Sequence, residues 1–268
     1  MFLCYNIIRK VQYERFKMRH YIVGDVHGEY KALLNLVAKI PYNAQLIFVG
    51  DLIDRGSQSA HVVKFIRENS MPCVRGNHEE MMIKHGGAFV NAIENGEEIE
   101  QNNMWLKHGG IETLLSYSLI SYKDSRIVPH PFIKEFIFQF KEDIEWMKNL
   151  PLYLELDEAK HISGRKIVVS HSAIAGVWHM RNSLEENKEF LSTILWSRAI
   201  PLDRENIFNI FGHTPQQFTV KEKDYYVNVD TGCYIKDQKG YGLLSAYCVE
   251  SAEVYSSGEL SIFDEKIS

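Results

Sequence analysis

Short apolar runs alternate with polar, glycine-bearing stretches through the N-terminal third of the chain. Tyr21-Ile22-Val23, Leu46-Ile47-Phe48-Val49 and the shorter Cys73-Val74 have the character of buried strands. Each run is followed by a polar loop and then by a segment of helical periodicity. Leu33, Leu34, Leu36 and Val37 make an apolar face for a helix from about Glu29 to Ala38, with Pro41 beyond its end. Val62, Val63, Phe65 and Ile66 do the same from about Ser59 to Glu68, where Ser57 or Ser59 is the expected N-cap. Further strands are expected at Leu152–Leu156, Lys166–Ser170, Ile207–Phe211, Tyr225–Val229, 242–249 and 252–256, with a helix over 184–196. Interleaved strands and helices of this kind predict an α/β fold.

Residues 80–150 have a different texture, mostly helical in pattern, with breaks at Gly86-Gly87, Gly96, Gly109-Gly110 and the Pro129/Pro131 pair. Within them Phe132, Phe136, Phe140, Ile144 and Met147 recur at helical spacing, a stripe expected to face the core. No Ser/Gly-rich or charged linker marks a boundary. The region therefore reads as a helical insertion within a single domain spanning 20–268. Residues 1–19 are basic and irregular, an N-terminal extension. Met18 stands directly before the first strand, so residues 1–17 read either as a mis-assigned start or as a loosely docked arm.

Bulk properties narrow the function classes. The 268 residues are 45% hydrophobic and 24% charged, as in ordinary soluble globular proteins. A net charge of −5 gives no reason to expect nucleic acid or an anionic membrane as partner. It leaves phosphate substrates open, because local arginines and metal ions set the field inside a site. Cys4, Cys73, Cys233 and Cys248 are scattered and form no CxxC pair, which argues against a disulfide framework and for a reducing compartment. No apolar run approaches the roughly 18 residues of a membrane span, and charged residues interrupt the first twenty, so a cytoplasmic location is expected.

The chemistry sits where the apolar runs end. Gly24-Asp25-Val26-His27-Gly28, Gly50-Asp51-Leu52-Ile53-Asp54-Arg55-Gly56 and Arg75-Gly76-Asn77-His78-Glu79 follow the first three, and His171 and His213 follow two later ones. In open α/β sheets ligands bind beyond the carboxyl ends of strands. Asp25, His27, Asp51, Asn77, His171 and His213 offer oxygen and imidazole nitrogen without thiolate, a set suited to Mn, Fe or Zn. Six side chains are too many for one metal with an open position. They suffice for two metals sharing a carboxylate, and Asp51 is the natural bridge. Arg55 and Arg75 carry planar donors matched to phosphate oxygens. His78 is placed to protonate a leaving oxygen, with Asp54 to orient it. Together these residues spell metal-assisted hydrolysis of a phosphate ester.

The motifs GDVHG, GDLIDRG and RGNHE, with VVSHS and FGHT further on, resemble the phosphoprotein phosphatase family of calcineurin-like metallophosphoesterases over roughly residues 20–232. The resemblance implies a sandwich of two mixed β-sheets flanked by helices, carrying a helical insertion. It implies one metal held by Asp25, His27 and Asp51 and another by Asp51, Asn77, His171 and His213, most simply two Mn²⁺. A metal-activated hydroxide would attack phosphorus in line, with His78 and Asp54 as the acid pair. Arg55 and Arg75 would bind phosphate, with Arg198 of Trp196-Ser197-Arg198 as a third contact. The compact bacterial and phage-type members include protein Ser/Thr phosphatases and symmetrical diadenosine tetraphosphate hydrolases, so a phosphoprotein and a phosphorylated small molecule both stand as substrates. Val229-Asp230-Thr231-Gly232-Cys233 replaces the SAPNYC loop of eukaryotic members, and no regulatory subunit is inferred. Asp230 is open between a site role and an Asx-turn before Gly232. A non-catalytic binding module would require a lost ligand or acid, and none is missing.

Overall fold

The computed structural model describes residues 18–258 apart from 101, 125, 160 and 184–187, so the proposed arm at 1–17 lies outside the described residues. The first sheet contains β1 (Arg19–Val23), β2 (Ala44–Phe48), β10 (Ser245–Cys248) and β11 (Val254–Ser256), in the order β11-β10-β1-β2. β1 pairs parallel with β2 and antiparallel with β10. The second sheet contains β5 (Tyr153–Glu155), β6 (Lys166–Ser170), β7 (Ile207–Phe211), β8 (Lys221–Lys223) and β9 (Tyr226–Asn228), in the order β5-β6-β7-β9-β8. β6, β7 and β9 run parallel, while the outer strands β5 and β8 are antiparallel to their neighbours. Both sheets are therefore mixed.

Strand alternation divides the core into layers, because successive side chains leave opposite faces. Tyr21, Val23, Leu46 and Phe48 face the helices α1 (Tyr30–Val37) and α2 (Ser59–Glu68) and the segment that follows them. Ile22 and Ile47 face the other way and pack on Ile167, Val169, Phe208 and Ile210 of the second sheet. That sheet's outer face, with Val168 and Ile207, is covered by Phe190 and Ile194. Helices thus flank two stacked sheets, and continuous apolar runs at β1, β2, β6 and β7 follow from burial on both faces.

Several local expectations are corrected. Cys73-Val74 forms no strand, only a parallel bridge between Cys73 and Phe48. α2 has the predicted limits, but its N-cap is Gln58 and no side chain caps it. Ser59 is diverted: its hydroxyl accepts the backbone N–H of Asp54 at 3.1 Å. The span 80–150 is mostly helical with breaks, as its pattern implied, but also includes a hairpin. It holds α3 (Asn77–Met81), α4 (Gly87–Asn95), α5 (Ile111–Ser116) and α6 (Ile133–Lys148), two π-turns (Met82–Gly86 and Leu106–Gly110), and a hairpin of β3 (Ile120–Lys123) with β4 (Arg126–Pro129). On α6, Phe140, Ile144 and Met147 are buried as expected, whereas Phe132 is 60% and Phe136 37% exposed. Ile133 takes the inward position at the start of the helix. Among the described residues no helix is long and apolar enough to cross a membrane.

Candidate metal centre

The parallel pairing of β1 with β2 and of β6 with β7 brings four strand ends to one edge, each handing its chain to a site residue within three positions. Asp25 follows β1, Asp51 follows β2, His171 directly follows β6 and His213 follows β7. Asn77 and His78 open α3. All six are buried.

Holding side chains at such turns strains the backbone. His27, Asp51, Asp54, Arg55 and His213 all have positive φ, between 47° and 71°, an uncommon region for non-glycine residues. Gly76 and Gly212 create the room: a Cβ on Gly76 would collide with the Asp51 carboxylate, and one on Gly212 with that of Asp25.

Asp51 lies at the centre. Its Oδ2 is 3.7 Å from His27 Nε2 and 3.9 Å from His78 Nε2, and its Oδ1 is 3.5 Å from His171 Nε2. Among the described residues two groups have all their ligand-competent atoms within 4.8 Å of one another, His27–Asp51–His78 and Asp51–His171–His213. Asn77 joins the second, its Oδ1 2.8 Å from His171 Nε2, which in turn is 3.0 Å from His213 Nδ1. Asp25 stands outside the first group; both its oxygens accept the N–H of His213 at 3.1–3.2 Å.

The donor set fits cations. His27 Nδ1 is 2.9 Å from the Ile53 carbonyl and His171 Nδ1 2.9 Å from that of Val49. A carbonyl only accepts, so each ring donates from Nδ1 and turns the lone pair of Nε2 inward. At His171 that lone pair faces the amide oxygen of Asn77, two acceptors at contact distance that a positive ion would reconcile.

Electrostatics sorts the histidines. Burial holds His27 and His171 below the usual imidazole range, and burial with the neighbouring His171 lowers His213 to about 3. His78 goes the other way: burial opposes its charge, but Asp51 and Asp54 outweigh it and raise its pKa. The shifts favour the neutral, metal-competent form of the first three rings and the protonated form of His78. Burial raises Asp25 well above the usual carboxylate range, with Asp230 and Asp51 adding to it. Burial also acts on Asp51, yet the four surrounding imidazoles hold it below that range.

Supporting residues were only partly foreseen. Asp54 Oδ2 accepts a 2.6 Å hydrogen bond from His78 Nδ1. Glu79, unassigned from sequence, accepts N–H groups of Asp51 (2.9 Å), Leu52 (2.8 Å) and Gly76 (2.8 Å), stapling two motif loops together. Burial and the Asp51 charge push its pKa up to about 7. Arg55 approaches His27 Nε2 at 3.2 Å and lies over the ring of Tyr234, 4.1 Å from its centroid. Tyr234 is a site neighbour that no motif announced. Arg198 is exposed, and its charge reaches His171, His213 and Asp230. Arg75 is not gathered into the cluster. Its guanidinium pairs with Glu80 at 3.0 Å, and its Nε is buried without a partner. Asp230 forms the Asx-turn, accepting the Gly232 N–H at 2.8 Å, and burial lifts its pKa to about 7. Cys73, Cys233 and Cys248 are free, buried thiols.

A family model for calcineurin-like phosphoesterases matches residues 18–244. Serine/threonine-protein phosphatase 2 of Escherichia coli (strain K12) is 37% identical over 106 residues, which cover 37% of this chain and 44%, less than half, of that relative. Serine/threonine-protein phosphatase 1 of Salmonella typhimurium is 24% identical over 84% of this chain and 94% of its own length. The symmetrical bis(5'-nucleosyl)-tetraphosphatase of Proteus mirabilis is 26% identical over 75% of this chain and 60% of its own. The fold is shared with a metallophosphoesterase from Sphaerobacter thermophilus, at a TM-score of 0.52 over 89% of this chain, 86% of that one and 14% identity. Calcineurin-like phosphoesterases work with a dinuclear divalent metal centre, which the Asp51-centred donor set matches. The chain belongs to the calcineurin-like phosphoesterase family and is a metal-dependent phosphoesterase, a hydrolase.

Proposed function

We propose that the chain is a serine/threonine protein phosphatase working with two Mn²⁺ ions, with Fe or Zn as substitutes. Asp25, His27 and Asp51 would hold one ion, and Asp51, Asn77, His171 and His213 the other. Such a pair, when bound, activates water and offsets charge on the phosphoryl oxygens. The observation that carries the reading is the convergence on Asp51, with His27 and His171 3.7 and 3.5 Å from its oxygens and His171 linked on to Asn77 and His213, while His78 is held apart by its 2.6 Å bond to Asp54. His78, held by Asp54, gives its Nε2 proton to the leaving serine or threonine oxygen. Arg55, on the rim beside His27, and Arg198 bind phosphoryl oxygens. Arg75, paired with Glu80 through one guanidinium nitrogen, joins them in binding phosphate.

Phosphoprotein is favoured as substrate by the near full-length match to a relative named as a protein phosphatase. The second reading is a symmetrical dinucleoside tetraphosphatase, supported by a relative of that name spanning three quarters of this chain. Turnover of phosphoserine and phosphothreonine peptides is compared with that of diadenosine tetraphosphate under Mn²⁺. Faster peptide turnover supports the first reading and the reverse order selects the second. No turnover of either with Mn, Fe or Zn overturns both.

A further inference from the structure

Asp54 is fully buried, and its carboxylate is bonded on every side. Besides His78, it takes the indole N–H of Trp105, 3.1 Å from both oxygens, and the hydroxyl of Thr113, 2.6 Å from Oδ1. The backbone N–H of Asp54 in turn donates to Thr113 Oγ1 at 3.0 Å. Trp105 and Thr113 are themselves fully buried. Both come from the segment around Gly109-Gly110, which appears in the sequence only as a helix break.

That break is shaped for the purpose. Gly109 has φ of 108°, and its carbonyl accepts the Arg55 N–H at 3.3 Å. A Cβ on Gly110 would come within 2.7 Å of the Trp105 ring. One turn thus grips Asp54 and Arg55 together. A buried carboxylate with one short bond to an imidazole could rotate away or shift if its second oxygen were free. Here Trp105 and Thr113 occupy that oxygen.

We propose that Trp105 and Thr113 are positioning residues for proton delivery, fixing Asp54 so that it aims His78 at the leaving-group oxygen. The inference rests on the acid role of His78 given above. In the step concerned, the bond from phosphorus to the leaving oxygen breaks as a bond from phosphorus to the oxygen of water forms. The leaving oxygen takes the proton of His78 Nε2, and the proton of the water passes to solvent, which later reprotonates His78.

The test uses full-length, Mn²⁺-loaded protein carrying Thr113→Val, Thr113→Ser, Trp105→Phe or His78→Ala. Two aryl phosphates are compared, phenyl phosphate, whose phenol has a pKa of about 10, and 2,4-dinitrophenyl phosphate, whose leaving group departs without a proton. Metal content and thermal melting are followed in parallel. A merely structural loss lowers kcat on both substrates alike, whereas a loss of positioned acid falls on the poor leaving group. We expect Thr113→Val and Trp105→Phe to lower kcat on phenyl phosphate by about tenfold, a fraction of the general-acid effect of roughly 10²–10⁴. On the dinitrophenyl ester the loss stays within about twofold, and Thr113→Ser restores phenyl phosphate turnover. In metal-free protein, the downfield NMR signal of the His78 Nδ1 proton shifts in Thr113→Val and keeps its place in Thr113→Ser. Equal losses on both esters in Thr113→Val and Trp105→Phe, with His78→Ala still discriminating, overturn the inference alone. If His78→Ala does not discriminate, the acid role falls and takes the inference with it. Should Thr113→Val not fold, Trp105→Phe carries the same comparison.

Discussion

His78 is tied to Asp51 twice. Its backbone N–H donates to Asp51 Oδ1 at 3.0 Å, and its ring Nε2 lies 3.9 Å from Asp51 Oδ2. One carboxylate therefore positions the proposed proton donor and also stands at the meeting point of the two ligand groups.

Asp51→Asn should remove this double service. Replacing one oxygen by an amide leaves a donor facing imidazole lone pairs. Since outer-shell partners alone cost about 10–100-fold in metal affinity, the loss here should exceed about a hundredfold. Titration calorimetry with Mn²⁺ checks it, and tight binding of two ions by the variant would remove Asp51 from the bridge.

His78→Ala should leave the metals in place and lower kcat on phosphopeptides by about 10²–10⁴-fold with little change in KM. Steady-state kinetics beside elemental analysis separates the two effects. A kcat near that of the unaltered protein would reassign the acid.

Glu79→Gln should destabilise the fold without touching substrate. Three backbone N–H groups converge on the carboxylate, and an amide offers one acceptor oxygen in place of two. A buried donor left unpaired costs about 1–3 kcal/mol, which at about 2–4 °C per kcal/mol for a chain of this size lowers Tm by roughly 2–12 °C. Calorimetry of the metal-free protein reads it directly.

Acid sensitivity has one traceable source far from the site. Glu250 accepts the His20 N–H at 3.0 Å and faces His20 Nδ1 at 2.6 Å. Burial opposes its charge, but the bonds from His20 win and hold its pKa below the usual 4.5. A depressed carboxylate pKa means that the unfolded chain binds the proton more readily. The stabilisation is complete above about pH 4.5 and is lost as pH falls through the lower folded value. Urea midpoints of the metal-free protein and its Glu250→Gln variant should differ at neutral pH and converge in acid.

Phe140→Ala tests the insertion. Phe140 is fully buried against Phe89, Trp105 and Tyr117, so truncation should cost about 3–5 kcal/mol. Denaturant unfolding measures the cost.

Much of this architecture was legible from the chain. β6 and β7 have their predicted limits because both faces are buried, and short runs dominated by Ile, Val and Phe leave little choice. Asp25, Asp51, His171 and His213 could be found because each directly follows such a run. Tyr234, Glu79, Trp105 and Thr113 could not be singled out. Apart from the Gly76 N–H three positions before Glu79, their site partners lie dozens of residues away, and the spacing of a buried tryptophan or threonine is that of any core residue. The hairpin β3–β4 was hidden for a different reason: each strand has only four residues, so the alternation of Ile120 and Tyr122 with Ser121 and Lys123 is too short to stand out between helical segments. Arg75, a candidate phosphate ligand by its place in a motif, also pairs with Glu80, five positions on, a contact the motif does not announce.

The left-handed backbone at His27, Asp51, Asp54, Arg55 and His213 sets a trade-off for anyone re-engineering this scaffold. Each such residue costs of order 1–3 kcal/mol, and glycine would escape most of that cost. Yet deleting the Asp51 and Asp54 side chains would leave the His78 N–H, the Trp105 indole and the Thr113 hydroxyl without their acceptors, at about 1–3 kcal/mol for each buried donor. The tension in these turns is held by the same bonds that place the ligands, so neither can be relaxed without losing the other.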